Sequence, residues 1–314
     1  MAGKSVVVGI DGSAAAARAA AFGWQLARAA RVDCRLVHAI PDTWFSDYVG
    51  QPTMGARALL DEIIEHARER MEEAIAPAVP AGAAARVEVL VGRPAAVLRA
   101  AAEADNAQYV VVGGKHHTSV GRALGGSTAQ DLVRTLDRPL LAVGERDAPV
   151  RRVLVALDLS AASRPTLGAA RRLARLLNAE LRVLHVVEPV RVPLTIPFVL
   201  DEAEIAQRAE TAFARFERTA AGVPHGEWLV RRGAATDTIA DQAAEWAADV
   251  VVVGSHGKGW VDRVLIGSAT ERLLGVLPAT VLVVPTGRPT RRVRLPPKVG
   301  AKPRRRGKKQ AVAA

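Results

Sequence analysis

Short β-branched runs alternate along the chain with longer stretches whose apolar residues recur at helical spacing. Ser5–Ile10, Arg35–Ile40, Arg86–Val91, Tyr109–Gly113 and Leu140–Val143 are apolar runs of strand length, the pattern of strands covered on both faces. Between them lie an alanine-rich stretch at Ala14–Arg31, a segment with Leu60, Ile63, Ile64, Ala67, Met71 and Ile75 on one helical face, and the stretches Pro94–Ala104 and Ser127–Leu136, all read as helices. The same order then returns. Strands are predicted at Arg152–Leu157, Leu181–Val187, Glu227–Arg231, Asp249–Gly254 and Thr280–Val284, and helices near Arg164–Asn178, Leu200–Ala220, Thr236–Ala247 and Ser268–Leu277. Strict alternation of this kind predicts an α/β fold, with two tandem open five-stranded parallel sheets, helices on both faces and right-handed crossovers.

The return is a duplication. VVVGIDGS at Val6–Ser13 reappears as VLVALDLS at Val153–Ser160, and Asp11 to Asp158 and His38 to His185 are both offsets of 147. Gly92 to Gly233, Gly113 to Gly254 and Gly126 to Gly267 are offsets of 141. A unit this long is a whole domain, far beyond a solenoid repeat. The expected divisions are 1–145 and 151–285, with a short linker around Pro149 and a tail over 286–314.

Composition sharpens this in three places. The net charge of +11 sits entirely in the tail: eleven of the 43 Lys and Arg fall after residue 285, and the rest of the chain balances 32 acidic side chains. The tail is rich in Pro and Gly and lacks an apolar period, so disorder is expected. It suits nucleic acid or another polyanion by counterion release, and it equally suits a solvated extension. A single cysteine, Cys34, excludes an intrachain disulfide and a cysteine metal cluster, and it reads as a small apolar filler. The apolar runs are too short for integral membrane association, and no secretory leader is visible, so a cytoplasmic location is expected.

In an open parallel sheet, ligands sit beyond the carboxyl ends of the strands, where the winding reverses. Three segments of the second half should converge there: Leu157–Asp158, the end of the second strand at Val187, and Gly254–Ser268. The third reads GSHGKGWVDRVLIGS, with two residues between Gly254 and Gly257 and nine between Gly257 and Gly267. Gly254 and Gly257 permit tight turns with positive φ. Gly267 leaves room for a ligand, and Ser268 is placed to cap a helix beginning at Ala269 and Thr270. A helix start of this kind attracts an anion. It is not a Walker loop, because the spacing differs and Lys258 precedes Gly259.

With these motifs, the second half resembles a universal stress protein domain over nearly its whole length, in the branch marked by the glycine–two–glycine–nine–glycine–serine spacing. The first half resembles the same domain with a damaged signature, and together they are similar to the tandem actinobacterial type. The resemblance implies strand order 3-2-1-4-5 and ATP between strands one and four, with magnesium held through the phosphates. It implies a site of Leu157, Asp158, Val187, Gly254, His256, Gly257, Gly267, Ser268, Ala269 and Thr270. The corresponding first-half residues are Asp11, Gly113, Gly126 and Ser127. It further implies that Leu140–Val143 and Val281–Val284 meet in an intrachain pseudo-dimer, with a homodimer as a further possibility.

The two versions of the site differ. His116 stands at the position of Gly257, and Ala129 at that of Thr270, so weaker or absent nucleotide binding is expected in the first half. Bland roles stand beside these. Asp11 and Asp158 suit turns or helix caps, His38 and His185 suit satisfied core positions, and Trp44, Phe45 and Tyr48 suit packing or a lid. His116 and His117 suit the surface rather than a metal. The leading function is an ATP-binding stress-response regulator. A slow ATP hydrolase and a ligand-free dimeric scaffold are the alternatives, and no catalytic base or metal-binding cluster is visible. The SGGxDS, HIGH and KMSKS runs of adenylating enzymes are absent.

Overall fold

The computed structural model describes residues 4–42, 54–114, 128–145, 148–188, 228–255 and 267–286, together with Thr211, Ala214 and Arg218. His116, His117, Gly126, Ser127, His256, Gly257, the Trp44–Tyr48 loop, most of the helix expected at Leu200–Ala220 and nearly all of the basic tail lie outside the described residues.

The first half runs β1 (Ser5–Ile10), α1 (Ala14–Ala30), β2 (Asp33–Ile40), α2 (Met54–Ile75), β3 (Val87–Val91), α3 (Pro94–Ala104), β4 (Tyr109–Gly113), α4 (Thr128–Thr135) and β5 (Leu140–Val143). The second runs β6 (Arg152–Leu157), α5 (Ser163–Leu177), β7 (Glu180–Val187), β8 (Trp228–Arg232), α6 (Ala235–Glu245), β9 (Val250–Gly254), α7 (Ser268–Val276) and β10 (Thr280–Val284). Local chemistry sets the helix ends. Ser13 caps α1, its hydroxyl accepting from Ala16 N at 3.2 Å. Arg31 closes the same helix in the left-handed region at φ 54°, with the following N–H of Val32 donating to Ala27 O, a Schellman-type stop. Asn178 ends α5 in the same way at φ 52°.

Each half has strand order 3-2-1-4-5, and every pairing within a half is parallel. The two portions are not separate sheets. β5 and β10 pair antiparallel, with Ala142 opposite Val281 and Leu140 opposite Val283, giving one sheet of ten strands. Both strands are buried at every position. Left apart, each would present a fully apolar edge with unpaired N–H and C=O groups, and pairing removes both edges at once.

Helices cover the two faces of this sheet, and each face is a single apolar layer drawing on both halves. One contains Ile10, Leu26, Ile75, Leu157, Leu173 and Leu282; the other contains Leu98, Leu132, Leu140, Leu273 and Val283. The linker is held down. Val150 is buried in the first layer, and Asp249 Oδ2 accepts from the backbone N–H groups of Arg151 and Arg152 at 2.7 and 3.0 Å. Among the described residues, no helix is long and apolar enough to cross a membrane.

Candidate functional site

The carboxyl ends of β6, β7 and β9 and the start of α7 bring Leu157, Asp158, Val187, Gly254, Gly267, Ser268, Ala269 and Thr270 to one side of the second half. The site is built outward from the strand ends. Leu157 is buried, and its carbonyl accepts a hydrogen bond from His185 Nδ1 at 2.7 Å. His38 makes the same bond to Ile10 O at 2.8 Å in the first half. A carbonyl only accepts, so each ring carries its proton on Nδ1. The histidines extend the pairing of neighbouring strands past the last backbone bond, which makes them structural braces at the rim of the site.

Asp158 follows. Its Oδ1 accepts from Ser160 N at 3.0 Å, Ser160 Oγ at 2.7 Å and Ser163 Oγ at 3.0 Å. This oxygen is occupied in forming the turn, the bland role. Its Oδ2 is buried and has no hydrogen-bond partner among the described residues. Burying such an oxygen without a donor is costly, and a native structure keeps one for a reason. Asp11 holds the corresponding turn through Ser13, whose N–H and Oγ lie 3.1 and 2.5 Å from its Oδ1. Unlike Asp158, Asp11 is exposed. The turn needs a left-handed residue next. Gly12 supplies it at φ 76° in the first half, and Leu159 at φ 61° in the second. For a non-glycine residue that conformation costs roughly 1–2 kcal/mol, and the Leu159 side chain is packed against the core layer beneath.

Gly254 ends the strand without a positive φ, which leaves Gly257, outside the described residues, as the other position expected to take one; the Gly254 carbonyl accepts from Thr270 Oγ1 at 2.8 Å. The Thr270 hydroxyl, 4 % exposed, therefore pins α7 to the end of β9. The start of α7 departs from expectation: Gly267 rather than Ser268 is its N-cap, and no side chain caps the helix. Ser268 is already in the helix, because Gly267 N–H donates to Ser255 O at 3.0 Å and that bond sets where the chain turns in. The first N–H groups of a helix have no partner within it. Those of Ser268, Ala269 and Thr270 therefore open the helix uncapped by any side chain.

Val187 ends β7 half-buried, and its carbonyl accepts from Gly233 N at 3.2 Å. In the first half, Asp11, His38, Gly113, Thr128 and Ala129 line a cavity of about 350 Å³. Gly113 also has a packing reason to be glycine. A Cβ there would fall 2.6 Å from the carbonyl carbon of Ala15 in the first turn of α1. The sequence reading of His38 and His185 as satisfied residues holds, while the serines that hold the aspartates were missed. The serines were visible in the offset of 147 from Ser13 to Ser160, which His38 and His185 share. Away from the site, burial pushes the Cys34 thiol up to about 12, in keeping with a filler role. Among the described residues, no group of three or more His, Cys, Asp or Glu side chains is placed to hold a metal ion.

A doubly wound α/β domain, duplicated, with a helix start tied to the end of its fourth strand, belongs to the class of open parallel-sheet folds whose winding reverses at a switch point. Residues 3–144 and 149–285 each match the universal stress protein family, and the chain is a member of it with two tandem domains. The universal stress protein Rv2005c of Mycobacterium tuberculosis is 27% identical over 300 residues, covering 88% of this chain and 96% of its own. A shorter universal stress protein of Thermus aquaticus is 32% identical over 136 residues, 43% of this chain and 98% of its own. A solved universal stress protein of Archaeoglobus fulgidus superposes with a TM-score of 0.62 at 19% identity, over 90% of this chain and 98% of its own.

Proposed function

We propose that the second half binds an adenine nucleotide, ATP, and that the protein is a nucleotide-responsive stress regulator. The observation that carries this reading is the buried Asp158 Oδ2, which lacks a donor at the switch point. A ribose hydroxyl or the exocyclic amine of adenine supplies one. Leu157 and Val187 offer apolar surface beside it for the base. The N–H groups at the start of α7 suit phosphate oxygens, since an exposed helix N-terminus favours an anion by roughly 0.3–1 kcal/mol. Ser160 and Ser163 hold the Asp158 carboxylate by its other oxygen, so the ligand meets an acceptor already in place. Gly257 and His256 are assigned to the same loop from the sequence spacing. Magnesium would be held through the phosphates of the nucleotide.

Regulation fits the site better than catalysis. The polar groups described here orient a ligand, and none is placed as a general base. A cytoplasmic protein whose two halves share one core would pass a change at this site to its partners. The test is calorimetric titration of the full chain with Mg-ATP, beside the Gly257→His variant that copies the first half. A strong site lost in the variant supports the reading. Unchanged binding in the variant, or none in the wild type, ends it.

A further inference from the structure

The cavity in the first half has a wall that the first half does not supply. Leu274, on α7, lines it from across the β5–β10 junction. Leu274 is 5 % exposed and stands in the apolar layer shared with Leu132 and Val133 of α4. Three residues on, Leu277 reaches the same place. A Cβ on Gly114, itself part of the cavity lining, would fall 2.4 Å from Leu277 Cδ1. Gly114 is held in turn by its N–H donating to Val143 O at 2.8 Å. The second half thus presses into the mouth of the first.

The other end of this helix lies at the second half's site. Gly267 is tied to Ser255 and Thr270 to Gly254, so the start of α7 is anchored where the phosphates are proposed to gather. Leu274 stands six residues from Ser268, roughly 9 Å along the axis at 1.5 Å per residue. Over that distance a short helix moves as one body.

We infer that α7 links the two sites: the first-half cavity is a composite site for an adenine nucleotide, closed by Leu274, and its affinity rises when a nucleotide holds the start of α7. This rests on the assignment of ATP to the second half. The cavity, at about 350 Å³, falls at the low end of the roughly 300–1,000 Å³ typical of ligand sites. It suits the nucleoside part, with the phosphates turned outward. Ile10, Val37, Leu98 and Val112 offer apolar surface to a base, and Asp11 and His38 offer polar groups. A ligand shifts an equilibrium only through contacts that differ between states. Here the differing contact is Leu274. A ligand held at the start of α7 restrains the helix as a body and with it the Leu274 wall, so the next ligand has less freedom to remove, which makes the coupling positive.

The experiment is a Mg-ATP titration of the full chain by calorimetry, in the wild type and in Gly257→His, each with and without Leu274→Ala. Two steps are expected in the wild type, the tighter one absent from Gly257→His. The step that remains in Gly257→His should be weaker than the second wild-type step by roughly fivefold or more. Leu274→Ala in both backgrounds should bring these two affinities together while leaving the tight step in place. Leu274→Val, which installs the residue found at Val133, guards against loss of fold and should retain part of the coupling. Equal second-step affinities in the wild type and Gly257→His, or coupling that survives Leu274→Ala, overturns the linkage. A single wild-type step that vanishes in Gly257→His removes the first-half site and leaves the second-half assignment standing. No binding at all removes the assignment on which both rest.

Discussion

The two carboxylate oxygens of Asp158 stand in different environments: one organises the chain through Ser160 and Ser163, and the other is buried with no hydrogen-bond partner among the described residues, where we propose a ligand donor meets it. Replacing Asp158 with Asn keeps an oxygen for the serines and turns an amide donor toward the ligand's own donor. Asp158→Asn is therefore expected to weaken Mg-ATP binding tenfold or more, since a hydrogen bond to a charged group contributes about 1.5–3 kcal/mol. The melting temperature of the ligand-free protein should not fall. Titration and a thermal melt on the same sample check both, and unchanged affinity would count against the role of Oδ2. Cys34 makes a second residue-scale prediction. Its thiol ionises near 9.0 when unfolded and at about 12 in the folded protein. Below 9 both states are protonated and it contributes no pH dependence. Between 9 and 12 only the unfolded state loses the proton, so stability falls as pH rises, by about 1.4 kcal/mol per unit at most. Urea unfolding at pH 8 and pH 10.5 should show a smaller decline in Cys34→Ala than in the wild type.

Among elements, the strands were the most legible in the sequence. β1, β4, β5, β6 and β10 fall on the residues that hydrophobic runs alone indicated, because a strand covered on both faces has to be apolar throughout. The start of α7 was less legible. Ser268 has the chemistry of a cap, yet the backbone bond from Gly267 to Ser255 places the cap one residue earlier. Gly254 falls, as the strand pattern indicated, on the last rung of β9. Helix–strand contacts give a paired prediction. Gly113→Ala puts a Cβ against the Ala15 backbone, which cannot swing aside as a side chain would. It should cost about 1–3 kcal/mol, the range for an overpacked core. Gly275→Ala, in α7 with no atom within 4 Å of the new Cβ, should gain roughly 0.5–1 kcal/mol from helix propensity. Chemical denaturation of the two variants decides the signs, and a neutral Gly113→Ala would remove the packing argument.

The whole molecule is one sheet with two shared apolar layers, so the halves should unfold together. Single-tryptophan variants retaining Trp24 in the first half or Trp246 in the second are expected to report the same thermal midpoint. Leu282→Ala, in the β10 strand beside β5, should lower both midpoints together, at a cost of about 2–5 kcal/mol for a buried leucine. Two separate transitions would show that the junction does not bind the halves into one cooperative unit.

The sequence by itself determined the order of elements, the duplication and the strand ends that meet at the switch point. Each of these follows from periodicity and from residues near one another along the chain. Tertiary structure decided the antiparallel register in which β5 and β10 join the two sheets, the orphaned oxygen of Asp158 and the reach of Leu274 into the other half's cavity. These depend on groups far apart in sequence, such as Leu140 and Val283, or Gly114 and Leu277. Hydrophobic patterning says that such residues must be buried. It does not say against which partner, because burial of apolar surface has no direction until the chain has folded.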